Sequence, residues 1–478
     1  MAKTQEFVKT VSGQPNPDSL LRKTITSLPM QKKQWLTGIL VFTTCGAIHL
    51  QQAKTAIAAM TYYVATNGSD SNLGTQTSPF ATIGYAISKV QAGDIVYVRS
   101  GTYYPTNKIW IGNKATASAP ITIQPYPGEK AIVDGSNKSD NNEVFAIVGE
   151  YINLKGFEIR KGPFIGISVW GGKHIKLLNN VVHDIKGTGI YVGYNDINQV
   201  TDILIQGNTV YHTNLNNSSP NDWGGGWGEG IGVGGVGNMQ IIDNNVYENY
   251  GEGIGFSGSG GLISRNTVYD NYSVEIYLDS ATKATVERNL VYTKYNPNYY
   301  RFNQPANGIQ IANEGGTYQL DNNKIINNIV IGGGWGFYYG NYGKGGGMKN
   351  TLIANNTFYK GTVGLIRIDT DAHSNTTFAN NIFYQVNGVQ MTQFTANSAL
   401  QFNHNAWYGG SAGAGAGTGD VTANPMLVNP GTNTASDYKP KSGSPAIEAG
   451  STLTQVTNDY AGLTRPRGQN YDIGAYEF

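Results

Sequence analysis

Residues 244–256 read Asn244-Asn245-Val246-Tyr247-Glu248-Asn249-Tyr250-Gly251-Glu252-Gly253-Ile254-Gly255-Phe256, and residues 266–278 read Asn266-Thr267-Val268-Tyr269-Asp270-Asn271-Tyr272-Ser273-Val274-Glu275-Ile276-Tyr277-Leu278. The second stretch repeats the first. The Asn-x-Val/Phe-Tyr unit recurs at Asn208, Asn244, Asn266, Asn289, Asn356 and Asn381, with variants at Asn179, Asn328 and Asn405. The shortest intervals, 22 to 25 residues, suit one coil of three short strands and three turns. An alternating pair follows in each coil: Ile190/Val192, Ile231/Val233, Ile254/Phe256, Ile276/Leu278 and Ile309/Ile311. Period-two alternation turns these pairs into the core. Asn suits a left-handed corner, and stacking the same amide coil upon coil lets the side chains bond along the axis. The expected architecture is an all-β parallel β-helix with a structural Asn row.

Composition agrees. The chain has 478 residues, 63 Gly, 17 Pro and 14% charged residues, enough apolar length for a long core and enough Gly for many tight turns. Lys32 and Lys33 precede an apolar run from Leu36 to Ile48, with small residues at Ala56, Ala58 and Ala59. This is the layout of a secretory signal, and the run is too short for a membrane anchor. Residues 1–59 are therefore expected to be a leader, with Met1 or Met30 as the start, and the remainder to be secreted or held at the cell surface. The single cysteine, Cys45, lies in that leader, so a disulfide or Cys metal site is not expected beyond it. Residues 1–59 hold seven of the 33 Lys/Arg and two of the 32 Asp/Glu. The rest carries 26 basic against 30 acidic side chains, net −4, which excludes nucleic acid as a partner. The Gly-rich runs near Gly224 and Gly345 lack the Lys-Ser/Thr ending of a phosphate loop, which excludes a nucleotide site.

Strand edges at the ends of a coil stack need covers. Ser78 and Pro79 read as an N-cap and first helical residue, with Phe80, Ile83, Ile87 and Val90 forming the apolar face of a helical cap. The expected division is residues 60–130 for the cap and first coils, 131–423 for the repeats and 424–478 for an irregular tail. Tyr63-Val64-Ala65, Gly68-Ser69-Asp70, Gly74-Thr75, Ser78-Pro79-Phe80, Ala92-Gly93-Asp94 and Gly101-Thr102-Tyr103 resemble the opening of secreted pectin-lyase-like proteins. The segments Ser444-Pro445-Ala446-Ile447 and Asp472-Ile473-Gly474-Ala475-Tyr476 are similar to C-terminal segments of bacterial surface β-helix proteins. That resemblance implies a right-handed helix and a polysaccharide partner. The superfamily holds pectate lyases, related lyases and glycoside hydrolases, and fold does not choose among them.

Function must come from the outer face. Two intervals in the Asn row are long, and the surplus residues are 213–228, with Trp223 and Trp227, and 294–306, with Tyr299, Tyr300 and Arg301. At the usual strand spacing these walls would stand roughly 14 Å apart. Parity turns Glu275, Tyr277 and Asp279 outward beside Ile276 and Leu278. The same parity puts Glu314 outside one coil later. An extended strand would hold Asp279 and Glu314 roughly 8 Å apart, within the range of an inverting acid and base. The Ile276-Tyr277-Leu278-Asp279 segment also looks like the place where some β-helix glycoside hydrolases carry a catalytic Asp, although Ala312 stands where their partner Glu is expected.

Glu229 and Glu252 each sit in Gly-Glu-Gly-Ile, 23 residues apart, hence stacked. Carboxylates about 5 Å apart share a proton or a cation, for which calcium is the expected ion. The same residues also fit corner caps that accept backbone N–H bonds. His183, His212, Glu248 and Asp270 read either as a metal-binding row or as hydrogen-bonded corners. Trp223, Trp227 and Trp335 fit sugar stacking or loop packing equally.

The leading expectation is a monomeric glycan hydrolase with Asp279, Glu314 and Glu275 catalytic. Trp223, Trp227, Tyr277, Tyr300 and Arg301 would bind substrate, and no cofactor is needed. One alternative is a calcium-dependent uronate lyase, with Glu229 and Glu252 on the metal and Arg265, Lys283, Arg288 or Arg301 as base. The other is a non-catalytic glycan-binding or surface protein.

Overall fold

A computed structural model describes residues 58–193, 200–218, 228–316 and 318–478. The expected leader up to residue 57, with Cys45, and Trp223 and Trp227 lie outside the described residues. From residue 59 onward the chain is one coiled body. Short strands pair only with parallel neighbours one coil away, as in Val181–His183 against Thr209–Tyr211 and Ile276–Leu278 against Ile309–Ile311. Among the described residues these pairings build a 22-stranded and a 12-stranded sheet. The larger sheet is two rows of strands that fuse where Glu229–Ile242 and Glu252–Ser264 run unbroken around a corner. Three rows wind around one interior, giving the expected right-handed parallel β-helix.

The interior is a single apolar column running from Val64 to Trp407, and every alternating pair named above belongs to it. Flat aromatic stacking continues it toward the end, with Phe358, Phe383 and Trp407 at centroid spacings of 5.3 and 4.2 Å. The Asn row is real but shifted at one member. Asn180, Asn208, Asn244, Asn266, Asn289, Asn328, Asn356, Asn381 and Asn405 form it, with Asn180 rather than Asn179 as its first residue. Each Oδ1 accepts from the backbone and amide N–H of the previous Asn at 2.9 to 3.0 Å, while each Nδ2 reaches a main-chain carbonyl. The left-handed corner belongs to the residue just before: Asn179, Gly207, Asp243, Arg265, Arg288, Asn327, Asn355, Asn380 and His404 have positive φ. The ladder Asn therefore serves by its amide, inside the coil.

At the N-terminal end the helix spans Ile83–Ile87 and is capped by Thr82, whose Oγ1 accepts from the Tyr85 N–H at 3.2 Å. Ser78 and Pro79 are not its cap; Ser78 closes a tight turn with Thr75, and Pro79 and Phe80 bond back to Ser69, Tyr63 and Ala65. Ile83, Ala86 and Ile87 still face the first coil. The tail from 424 has little regular structure and lies over the outer side of the 12-stranded sheet. There Ile473, Ala475, Tyr438 and Tyr476 pack on Ile329, Ile331, Tyr359 and Ile382. It is tied to successive left-handed corners: Arg288 donates to Tyr460 O, Asn327 to Asn458 O, Asn355 to Asp472 O and Asn380 to Ser451 O, at 2.7 to 3.0 Å. Arg465 is buried and spreads its guanidinium over Glu477, Asn327 Oδ1 and Gly474 O.

Candidate active site

Between inward Ile and Val residues, the outward positions of one strand row fall in line: Tyr191, Gly232, Gly255, Tyr277, Gln310 and Tyr338 pair coil to coil. The two glycines leave a bare notch between flanking tyrosines. Glu229 and Glu252, paired with each other three positions earlier, fill it with their carboxylates. A methyl group on Gly232 would lie 2.6 Å from Glu229 Oε2. One on Gly255 would lie 3.3 Å from Glu252 Oε2 and 3.5 Å from Glu229 Oε1, so the two carboxylates flank one point.

Asp279 and Glu314 reach the same face from the next two coils. The strand of Glu314 ends at Ala312, and the chain then turns, so the extended geometry assumed for the pair does not hold. Instead the Glu314 N–H donates to Asp279 Oδ1 at 3.0 Å, Ser280 Oγ donates to the same oxygen at 2.8 Å, and the Tyr277 hydroxyl donates to Glu314 Oε1. Gln310 Nε2 donates to the Tyr342 hydroxyl at 2.7 Å behind them.

Glu275 is elsewhere. It is 2% exposed and accepts from the Asn271 N–H and amide, at 3.2 Å and 2.6 Å. These bonds end a second internal ladder, from Thr213 through Asn249 to Asn271. The next coil has Lys294 where another Asn would stand, and the Glu275 carboxylate takes that place. Its side chain follows the corner rather than strand parity, which removes it from the candidate catalytic set.

Crowding sets the protonation of the rest. Burial, then the charge of Asp279, pushes the Glu229 carboxyl up to about 7, against the bond from Thr188. Burial and the charges of Glu229, Glu314 and Asp279 hold Glu252 well above the ordinary carboxylate range. Asp279 is pushed up to about 6 by burial and by Glu314, with Ser280 opposing. Burial and the Glu314 charge raise the Tyr277 hydroxyl. Arg301 comes in from the 294–306 wall: its Nη1 donates to Ser273 Oγ at 2.9 Å, and burial lowers it to about 10 against the pull of Glu252. Burial, and then the charge of Asp270, raises the hydroxyl of Tyr300 on the same loop.

The site thus joins Glu229, Glu252, Tyr277, Asp279, Glu314 and Arg301 of the expected residues. It adds Tyr191 and Gln310, which the alternation signals only as outward positions, and Thr188 and Tyr342, which lie outside the strands and carry no periodic signal. Two corrections concern the histidines. His183 aligns with Tyr211, on which it stacks at 4.8 Å, while His212 sits one step further at a left-handed corner between Asp184 and Glu248. Among the described residues, no group of three or more His, Cys, Asp or Glu comes together to hold a metal ion.

Two family regions match the chain, one described as Pel9A-like right handed beta helix over residues 62–233 and one as right handed beta helix over 152–345. Uncharacterized protein YwoF of Bacillus subtilis is 29% identical over 398 residues, covering 72% of this chain and 80% of that protein. Pectate lyase PEL9 of Emericella nidulans is 42% identical over 122 residues, which are 23% of this chain and 30% of that enzyme. Among solved structures, pectate lyase Pel9A superposes with a TM-score of 0.55 at 19% identity over 88% of this chain and 97% of its own. The complex of XylC with xylose gives 0.56 at 14% over 88% and 98%. On its fold the chain is a right-handed parallel β-helix, and over residues 62–233 it is similar to the Pel9A-like region of that fold.

Proposed function

We propose that the chain is an exported carbohydrate-active enzyme that hydrolyses a glycan laid over the Gly232–Gly255 notch. The observation that carries this reading is the convergence of four carboxylates, Glu229, Glu252, Asp279 and Glu314, on one outward patch, where burial and neighbouring charge raise the proton affinities of Glu229, Glu252 and Asp279 to different extents. Paired carboxyl groups separated in this way are what acid and base hydrolysis needs at neutral pH. Glu252 keeps its proton and donates it to the glycosidic oxygen as the bond to the anomeric carbon breaks. Asp279 is the ionised partner: it takes a proton from the water whose oxygen attacks that carbon, leaving one new reducing end. Bonds from Ser280 and the Glu314 N–H orient its carboxylate. Tyr191 and Tyr277 border the sugar, and Arg301 offers donors at the wall. An acidic floor suits a neutral unit at the point of cleavage, because a uronate there would meet like charge. Export rests on the run from Leu36 to Ile48 behind Lys32 and Lys33.

The identity with a pectate lyase favours a second reading, elimination at a uronate with calcium at Glu229 and Glu252 and Arg301 as base. Two carboxyl groups whose burial favours their protonated forms do not by themselves make a calcium cage. The test is to incubate residues 60–478 with a polysaccharide panel, with and without calcium. New reducing ends and absorbance of unsaturated uronate products are both read, with Asp279→Asn and Glu252→Gln alongside. Reducing ends without absorbance, lost in both variants, are expected. Calcium-dependent absorbance would replace the hydrolase by the lyase; glycan binding with no product from any substrate would leave a binding protein.

A further inference from the structure

Away from the carboxylates, a cavity of about 330 Å3 opens between two turns of later coils, lined by Tyr295, Lys360, Thr362, Gln385, Asn387 and Val389. Its floor is fixed. The Thr362 hydroxyl is spent on Gly333 O at 2.8 Å, and Gln385 on Gly361 O, Gln390 O and the Val386 N–H. Three groups remain unspent. The Lys360 ammonium makes no ion pair among the described residues and stands 5.1 Å from the centre of the Tyr295 ring. That ring is 38% exposed, and the Asn387 side chain is exposed without a hydrogen bond among the described residues. A lone cation, an aromatic wall and a free amide around an open, small, partly apolar hollow form a receptor for one sugar ring bearing a carboxylate.

The cavity's place along the coils matters. Thr362 leads directly into the strand Gly364–Ile368, which lies four strand pairings from Glu252–Ser264 on the same row, roughly 19 Å along the axis. Tyr295 belongs to the loop that also sends Arg301 to the notch, so one wall serves both places. We propose that this cavity is a second carbohydrate subsite, which binds a hexuronate unit of an acidic heteroglycan several sugars away from the neutral unit that is cut. The uronate carboxylate pairs with Lys360, and its hydroxyls meet Asn387 and the Tyr295 edge. Binding at the cavity stands on the cavity itself; its assignment to the chain being cut rests on the hydrolase reading above.

The experiment is calorimetric titration of the full chain carrying Asp279→Asn with galacturonate trisaccharide, and with cellotriose as the uncharged comparison. Saturable binding of the acidic trisaccharide alone is expected. It should weaken by about tenfold or more in Lys360→Gln and in Tyr295→Ala, persist in Lys360→Arg, and fade with added salt. Circular dichroism of each variant checks that the coils are intact. Equal affinity in Lys360→Gln, or no saturable uronate binding by the intact protein, overturns the subsite. Lys360-dependent uronate binding in a wild-type chain that cuts no glycan keeps the subsite and refutes the hydrolase.

Discussion

Replacing Asn266 by Ala tests the ladder as the device that holds the coils together. Asn266 Oδ1 is the acceptor for the Asn244 N–H at 2.9 Å, and its Nδ2 supplies Ile241 O at 2.8 Å. Both partners are buried main-chain groups. The Asn244 amide keeps a bond to Ile205 O, and Asn289 Oδ1 keeps the Asn266 N–H, so they are not stranded. Ile241 stays in the paired ladder, so one orphaned buried N–H at about 1–3 kcal/mol and one further lost hydrogen bond at about 1 kcal/mol give a loss of about 2–4 kcal/mol, a large share of an ordinary domain's stability. Asn238→Ala, on an exposed residue, should change stability by less than about 0.5 kcal/mol. Because a coil stack need not melt in one step, the assay is denaturant unfolding combined with hydrogen exchange of the segment 241–247. Faster exchange of the Asn244 amide should accompany a lower midpoint. An Asn266→Ala protein with the wild-type midpoint and unchanged exchange would refute the ladder's energetic role.

Four further outcomes are expected. Gly255→Ala places a methyl group 3.0 Å from Glu229 Cγ; it should leave the circular dichroism intact while cleavage falls about tenfold or more, as the carboxylates part. With the Asp279 carboxyl at about 6 and required as the ionised base, the rate should rise with pH through about 6, and a pH–rate profile without that acid limb would unseat Asp279. Glu275→Ala strands the Asn271 N–H, while the Asn271 amide keeps Val246 O and Tyr269 O, so thermal unfolding should show a loss of about 1–3 kcal/mol while the rate per folded molecule is retained. Arg465→Met leaves Glu477 buried without its cation; a cost of about 3–5 kcal/mol and early proteolysis of the 424–478 tail should be seen.

The fold could be read because its signal is periodic: one Asn, one apolar pair and one coil length recur until no other architecture fits. Glu229 with Glu252 emerged from the same periodicity, since equal offsets in successive coils mean register. Reading failed where the period is interrupted. Glu275 is the second residue of a strand that follows straight after a corner, where the amide of Asn271 outcompetes alternation for its carboxylate. Glu314 lies past the end of its strand, so a spacing drawn from extended geometry could not apply. His183 and His212 share a corner but differ by one position, and one position is the difference between a stacked strand residue and a left-handed turn. Ser78-Pro79 has the chemistry of a helix start, yet the Thr82 hydroxyl, four residues later, meets the first free N–H. The cavity at Lys360 joins residues from three distant segments, which no local pattern relates.

The ties between the tail and Arg288, Asn327, Asn355 and Asn380 bear on how such a protein can change length. A coil inserted before Arg288 needs only neighbours that offer an Asn amide, so duplication there would lengthen the molecule in steps of one strand spacing. A coil inserted between Arg288 and Asn380 would carry the corners out of step with Tyr460, Asn458, Asp472 and Ser451. The tail is in this sense a ruler laid against the final coils. Related chains should therefore vary in coil number toward the N-terminal end and keep it constant beneath the tail.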